Sequence, residues 1–329
     1  MTLDLLSDVF RAIRLDGAFF FRVEATEPWW VESAIAREQQ PSVLPGSEHL
    51  IPYHILVEGE CWGGLDRREQ QRMRPGDVIV FPHGLPHFMS SAKGERPEIP
   101  PIGSPQGERL PFRLRIGGGG VRRSVFICGF LGCDRRPFNP LLSSLPDVLL
   151  VHGEEGGWLS IFSQRALDET QAGRAGGPLM LTRLAELMFL DVVRRHVESL
   201  GAGESGWLAG VRDEIVGRAL ALLHSRPARD WSLEELAREA ACSRSVLAER
   251  FARLVGEPPM QYLVRWRMQL AALQLSSTSN KVAAIGREVG YDSEAAFSRA
   301  FKRLAGLSPA AWRAQRAQSS VSRAARVIR

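Results

Sequence analysis

The sequence predicts a multidomain chain in which an N-terminal β-barrel precedes a C-terminal all-α domain made of two helix-turn-helix units. Three observations predict it. Two patterns in the last third, 233–256 and 282–306, can be laid over each other residue by residue. The first 145 residues, after a short opening helix, alternate apolar runs with Gly, Pro and Asp turn signals. Charge is divided between the ends: residues 210–329 hold 20 Lys and Arg against 11 Asp and Glu, whereas 1–209 hold 22 against 26. A basic end on an acidic body is expected when one part meets a polyanion and the other does not.

At 329 residues and 44% hydrophobic side chains, the chain has the length for two cores and the composition of a globular protein. The sequence shows no run of eighteen apolar residues and no basic-apolar leader, so a cytoplasmic protein with no membrane partner is expected. Four cysteines are too few for a disulfide framework.

In chain order, residues 1–145 read as the β domain. The opening MTLDLLSDVFRAIRL has helical, amphipathic spacing, and strands follow in AFFFRVE, HLIPYHILVEGECWG, RMRPGDVIVFPHG and VRRSVFICGFLG. Pro75, Gly76 and Asp77 form a turn into the buried run Val78, Ile79, Val80 and Phe81. That turn resembles the second half of the cupin signature, and residues 15–150 resemble the cupin-type sensory domain. The resemblance implies a double-stranded β-helix with an open, ligand-sized interior. Gly117 to Gly120 invites a phosphate-loop reading, but no Lys-Ser or Lys-Thr follows and the next run is a strand, so a flexible hairpin tip is expected. The Pro- and Gly-rich stretch before it, from about residue 91, is expected to be a loop over the barrel mouth.

His87 matches the histidine of the second cupin motif, but the paired histidines of the first are absent and only His54 stands near their place. The cupin metal triad is therefore incomplete. A second constellation, His83, His87, Cys128 and Cys133, has the ligand softness of tetrahedral zinc, although the cysteines are spaced more widely than usual zinc pairs. The same residues also read as a reversible Cys128/Cys133 redox pair, or as loop histidines and packed cysteines beside an organic effector. His54, Cys61, His83, His87, Cys128 and Cys133 are thus the candidate sensor pocket, with zinc the candidate cofactor.

Residues 146–200 are expected to be mostly helical, with Leu184, Leu187, Met188 and Leu190 forming a wide apolar face that packs on the barrel or pairs two chains as a homodimer. Residues 201–210, GAGESGWLAG, read as a flexible hinge.

In 211–316, Ser243, Phe251, Leu254, Gly256 and Pro259 align with Ser293, Phe301, Leu304, Gly306 and Pro309 at one offset. Before the turn the offset falls by one, so Leu236 and Ala237 meet Ile285 and Gly286 and the second turn is one residue longer. Each second helix opens on a serine that can cap it. Val246, Leu247, Phe251 and Leu254, and likewise Ala296, Phe297, Phe301 and Leu304, repeat at the spacing of a buried face. The outward positions are then Arg244, Ser245, Ala248, Glu249 and Arg250, and Glu294, Ala295, Ser298, Arg299 and Lys302. Arg299 can pair with guanine O6 and N7, Ser298 with several bases, Glu249 with the cytosine amino group, and Ala248 with a thymine methyl.

These features, with QYLVRWRMQLAALQL between the units and the closing GLSPAAWR, resemble the DNA-binding domain of the AraC/XylS family of transcription regulators. The resemblance implies that the units enter successive major grooves, joined by a helix over 260–276. It places base contacts on Ser245, Ala248, Glu249, Glu294, Ala295, Ser298 and Arg299. Ala248 and Ala295 are small, which leaves part of the readout to DNA shape. Residues 317–329 read as a basic, disordered tail. The expected protein binds double-stranded DNA, with RNA polymerase and a small-molecule or metal effector as further partners. The alternative is a cupin-type metalloenzyme fused to a DNA-binding module, which the incomplete triad disfavours.

Overall fold

The computed structural model describes residues 4–13, 15–33, 44, 47–98, 112–154, 156–172, 174–201 and 203–327. Two compact units emerge, and they do not follow the expected boundary at 145. One comprises Leu15–Cys133 with Leu145–Glu198; the other comprises Met1–Arg14, Asp134–Ser144 and Ser199–Arg329.

The sheet unit holds β1 (Leu15–Thr26), β2 (Trp30–Ser33), β3 (His49–Glu58), β4 (Cys61–Gly64), β5 (Gln71–Met73), β6 (Val78–Val80), β7 (His87–Ser90), β8 (Phe112–Gly117), β9 (Arg123–Cys133) and β10 (Leu149–Val151). They form a six-stranded sheet ordered β10-β6-β3-β9-β1-β8 and a four-stranded sheet ordered β2-β7-β4-β5. Strands β3 and β9 lie inside the larger sheet and are buried along most of their length, which is why their sequences read as near-continuous apolar runs. Edge strand β8 instead turns Arg113 and Arg115 outward, and charge on an edge discourages pairing with another chain.

Both sheets feed one core in which Trp29, Met73, Ile79, Phe81, Met89 and Phe126 are almost fully buried. The expected open interior is, at this level, packed. Each large aromatic removed from water contributes roughly 1.5–3 kcal/mol, and alternation on facing strands delivers them to one side. The glycine run is no loose tip: a Cβ on Gly117 would lie 1.8 Å from the Thr26 carbonyl oxygen, and the Gly120 N–H donates to the Glu27 carbonyl at 2.7 Å. The preceding loop lies largely outside the described residues. Helices α2 (Trp158–Ala172) and α3 (Gly177–Ser199) complete the unit. On α3 the buried face is Leu181, Ala185, Met188, Phe189, Val192, Val193 and Val197, so the expected face is rotated and Leu187 is exposed.

The helical unit opens with α1 (Leu5–Ala12), capped by the Asp4 carboxylate on the Ser7 N–H, and buries Leu5, Val9 and Ala12. Only the end of the expected hinge is helical: α4 (Trp207–Arg212) buries Trp207 and Leu208, because an indole with a hydrogen-bond partner is worth more inside than in water. Then come α5 (Glu214–Ser225), α6 (Leu233–Glu239), α7 (Arg244–Val255), α8 (Pro259–Ser277), α9 (Val282–Glu288), α10 (Glu294–Ala305) and α11 (Pro309–Val327). Helix α11 runs on through residues expected to be a disordered tail, since nothing after Pro309 breaks it and Ala, Arg and Gln favour helix.

Candidate functional site

Each helix-turn-helix unit is assembled from local signals. In the first, Ser232 and Glu235 close a capping box on α6. The Ser243 hydroxyl accepts the Val246 N–H at 3.3 Å and opens α7, which ends on left-handed Gly256. In the second, Ser293 accepts the Ala296 N–H at 3.3 Å and opens α10, which ends on left-handed Gly306. Leu247, Phe251 and Leu254 face inward on α7, as do Phe297, Phe301 and Ala305 on α10. The guanidinium of Arg267 on α8 donates to the carbonyls of Pro227, Arg229 and Gly290, tying the approach to the first unit to the turn of the second.

Arg244, Ser245 and Glu249 on α7, and Glu294, Ala295, Arg299 and Lys302 on α10, are exposed; Ala248 and Ser298 are half-buried. Two expectations change. Val246 is not in the core but 43% exposed in the first turn of α7, where an apolar side chain can meet a thymine methyl. Arg250 is already paired, because Asp213, the N-cap of α5, binds it at 2.6 and 2.8 Å. Arg244 pairs with Glu234 at 2.8 Å. Arg253 and Arg303, overlooked in the sequence, occupy equivalent exposed positions on α7 and α10. Among the described residues, Arg253, Arg299, Lys302 and Arg303 have no hydrogen-bond or ion-pair partner, so their charges are available to an anion.

In the sheet unit the six candidate pocket residues separate. Strand register sets His54 opposite Cys128, and the His54 and His87 Nε2 atoms lie 2.8 Å apart. His87 stacks on Phe81 at 3.9 Å, and Phe126 meets His54 edge-on at 6.3 Å. Buried Cys61 lies 3.9 Å from the Met73 sulfur in the same core. His83 instead reaches the Leu145 carbonyl at 2.9 Å, and Cys133 ends β9. Cys128 and Cys133 are five residues apart on one strand, roughly 17 Å at the strand rise and on opposite faces, which rules out a disulfide without unravelling β9. The four proposed zinc ligands therefore do not converge, and among the described residues no three His, Cys, Asp or Glu are grouped to hold a metal.

The histidine pair has a definite proton arrangement. His87 Nδ1 lies 3.0 Å from the Leu85 carbonyl, which can only accept, so Nδ1 carries the proton and Nε2 is an acceptor. His54 Nε2 must then donate to it, which leaves His54 Nδ1 a buried acceptor with no donor among the described residues. Burial holds both rings neutral, lowering His87 to about 4 and His54 well below its ordinary value, the latter helped by the neighbouring His87. Burial likewise pushes the Cys61 and Cys128 thiols up, so neither is a thiolate at neutral pH.

Sequence reasoning also missed a cleft of about 970 Å³ on the same unit, lined by Arg72, Arg74, Asp77, His152, Ser160 and Gln164 among others. Buried Asp77 organises it by accepting from the Arg74 and Gly153 N–H groups, with His152 Nδ1 at 3.0 Å. The Pro-Gly-Asp turn was the only signal for it.

The family described as Cupin matches residues 4–198, and that described as Helix-turn-helix domain matches 236–315. A putative AraC-like transcription regulator of Streptomyces antibioticus is 43% identical over 179 residues, 53% of this chain and 58% of that protein, so the match spans under two thirds of that relative's length. The HTH-type transcriptional regulator AlkR of Acinetobacter baylyi is 28% identical across 95% of this chain and all of its own length. An uncharacterized HTH-type transcriptional regulator of Haemophilus influenzae is 30% identical over 79% of this chain and 85% of its own. No described helix is long and apolar enough to cross a membrane. With a cupin sheet domain that precedes two serine-capped helix-turn-helix units in the sequence, the chain belongs to the AraC family of transcription regulators.

Proposed function

We propose that this chain recognises a particular duplex DNA sequence by seating α7 and α10 in successive major grooves, and that its cupin domain senses a small molecule that alters this binding. The observation that carries the first part is the set Arg299, Lys302 and Arg303 on α10, which have no hydrogen-bond or ion-pair partner among the described residues, beside a serine cap that fixes the helix start. Arg299, Ser298, Ala295 and Glu294, with Ser245, Ala248 and Glu249 on α7, are the proposed base-reading side chains; Arg253, Lys302 and Arg303 supply phosphate contacts. The second part is supported by His54 Nδ1, a buried acceptor among aromatic rings that a hydroxyl or amine donor on an effector would satisfy. RNA polymerase is the proposed further partner. Exposed Trp158, Ile161, Leu179, Met180 and Leu187 on α2 and α3 support pairing of two copies of the chain.

The test selects duplexes from a random pool with the full chain, then compares wild type with Arg299→Ala by fluorescence anisotropy. A bidentate guanine contact predicts a loss of roughly 1–3 kcal/mol on selected DNA and little on random DNA. Equal loss on both assigns Arg299 to phosphate. Failure to enrich any sequence sinks the sequence-specific reading.

A further inference from the structure

The linking helix α8 is shared by both DNA-reading units. Its first half supplies Tyr262, whose hydroxyl receives the Trp207 indole N–H at 2.8 Å and lies 2.7 Å from His224 Nε2, with Phe251 of α7 packed edge-on at 5.8 Å. Its second half places Met268, Ala271, Ala272 and Leu275 in one core with Phe297 and Phe301 of α10 and with Trp312, which meets Phe301 at 5.8 Å. Each recognition helix is therefore backed by one aromatic anchor, Tyr262 or Trp312. The angle and distance between the two helices depend on how stiff α8 is between Tyr262 and the residues of its second half that share a core with Trp312.

At its midpoint α8 carries Gln269, a polar residue only 1% exposed. Both ends of its amide are used: Oε1 accepts the Phe138 N–H at 3.1 Å, and Nε2 donates to the Ala12 carbonyl at 2.7 Å. The segment Asp134–Ser144 extends from this point toward both anchors. Phe138 meets Tyr262 edge-on at 5.4 Å and is covered by Arg265 at 4.1 Å. Asp134 pairs with Arg316 at 2.9 Å, and Arg136 lies over the Trp312 ring at 5.8 Å. Ser144 accepts the Trp207 N–H at 3.1 Å. One short segment thus touches the aromatic that backs each recognition helix and hydrogen-bonds the middle of the helix between them. At its start the segment continues from Cys133 at the end of β9, and the Asp134 N–H donates to the Ile13 carbonyl at 3.2 Å.

We propose that Asp134–Ser144, locked at Gln269, is a splint that fixes the separation of α7 and α10 and thereby the spacing of the two DNA subsites the chain accepts. Phe138, Asp134 and Gln269 are positioning residues: they set where the reading helices stand without touching bases. The inference deepens the two-groove reading and rests on it.

The experiment uses the full chain and its selected duplex, with one or two base pairs added or removed between the subsites. Wild type should lose about tenfold or more in affinity at a wrong spacing, the scale of one mismatched base pair. Phe138→Ala, Asp134→Ala and Gln269→Ala should flatten that profile to within about threefold while the best duplex still binds. Arg299→Ala should bind more weakly at every spacing and keep the profile. If burial makes Gln269→Ala unfold by circular dichroism, Asp134→Asn, which removes the charge of the largely buried Asp134–Arg316 pair and keeps its shape, carries the test alone. Splint variants that fold and retain the wild-type profile overturn the splint and leave the two-groove reading standing. A wild-type chain indifferent to spacing overturns both.

Discussion

At the scale of single residues, the two turns solve one backbone problem differently. Ala241, between α6 and α7, sits at φ 58°, and its counterpart Gly290, between α9 and α10, at φ 91°. A side chain in this region costs roughly 1–2 kcal/mol, which Ala241 bears because it is exposed. Gly290 has no room: a Cβ there would lie 2.7 Å from the Ala228 carbonyl oxygen and 2.9 Å from the Arg267 guanidinium carbon. Gly290→Ala should therefore destabilise by about 1–3 kcal/mol in denaturant melts, whereas Ala241→Gly should be neutral or stabilise by up to about 1 kcal/mol. Equal effects would show that the crowding at Gly290 relaxes freely. Individual contacts were legible only in part. The exposure of Arg299 follows from its helix position, but the withdrawal of Arg250 onto Asp213 depends on a partner 37 residues away that periodicity does not see.

At the scale of elements, start and stop signals were the most readable feature. Both recognition helices begin on the predicted serine, and each ends on one of the aligned glycines, because caps satisfy backbone groups within a few residues. Ser243→Ala and Ser293→Ala should each cost roughly 1 kcal/mol of stability and weaken specific DNA binding. A variant that melts like wild type would show that packing, not the cap, fixes that helix start. Helix α5 carries a less visible device. His224 stacks on Trp266 at 4.0 Å, and burial lowers its pKa to about 3, below the roughly 6.5 of a free imidazole. Between those values the unfolded chain binds a proton that the folded chain does not. Its contribution is thus complete above about pH 6.5 and is lost as pH falls toward 3, by up to roughly 1.4 kcal/mol per unit. His224→Phe should flatten this acid dependence in urea melts, and an unchanged slope would place the acid sensitivity elsewhere. The buried face of α3 shows the limit of element reading: with apolar residues on several sides, only packing chose which side turned in.

At the scale of the whole molecule, compact units and stretches of sequence do not coincide. Helix α1 opens the chain yet belongs to the helical unit, where it packs against α5 and α8. Val9→Asp should therefore lower hydrogen-exchange protection in α5 and α8 while sparing β3 and β9, and loss confined to the sheets would refute that assignment. The sequence by itself determined the duplicated helix-turn-helix units, their caps, the cupin strands and the basic end, because each is written in residues adjacent in the chain or repeating at a fixed period. Only the tertiary structure decided that His54 meets His87, that His83 and Cys133 do not join them, and that Gln269 holds Phe138 and Ala12. Those pairings join residues tens to hundreds of positions apart. They are set by strand register, by the filling of a core and by the preference of buried polar atoms for a partner, conditions that arise only when the whole chain packs at once.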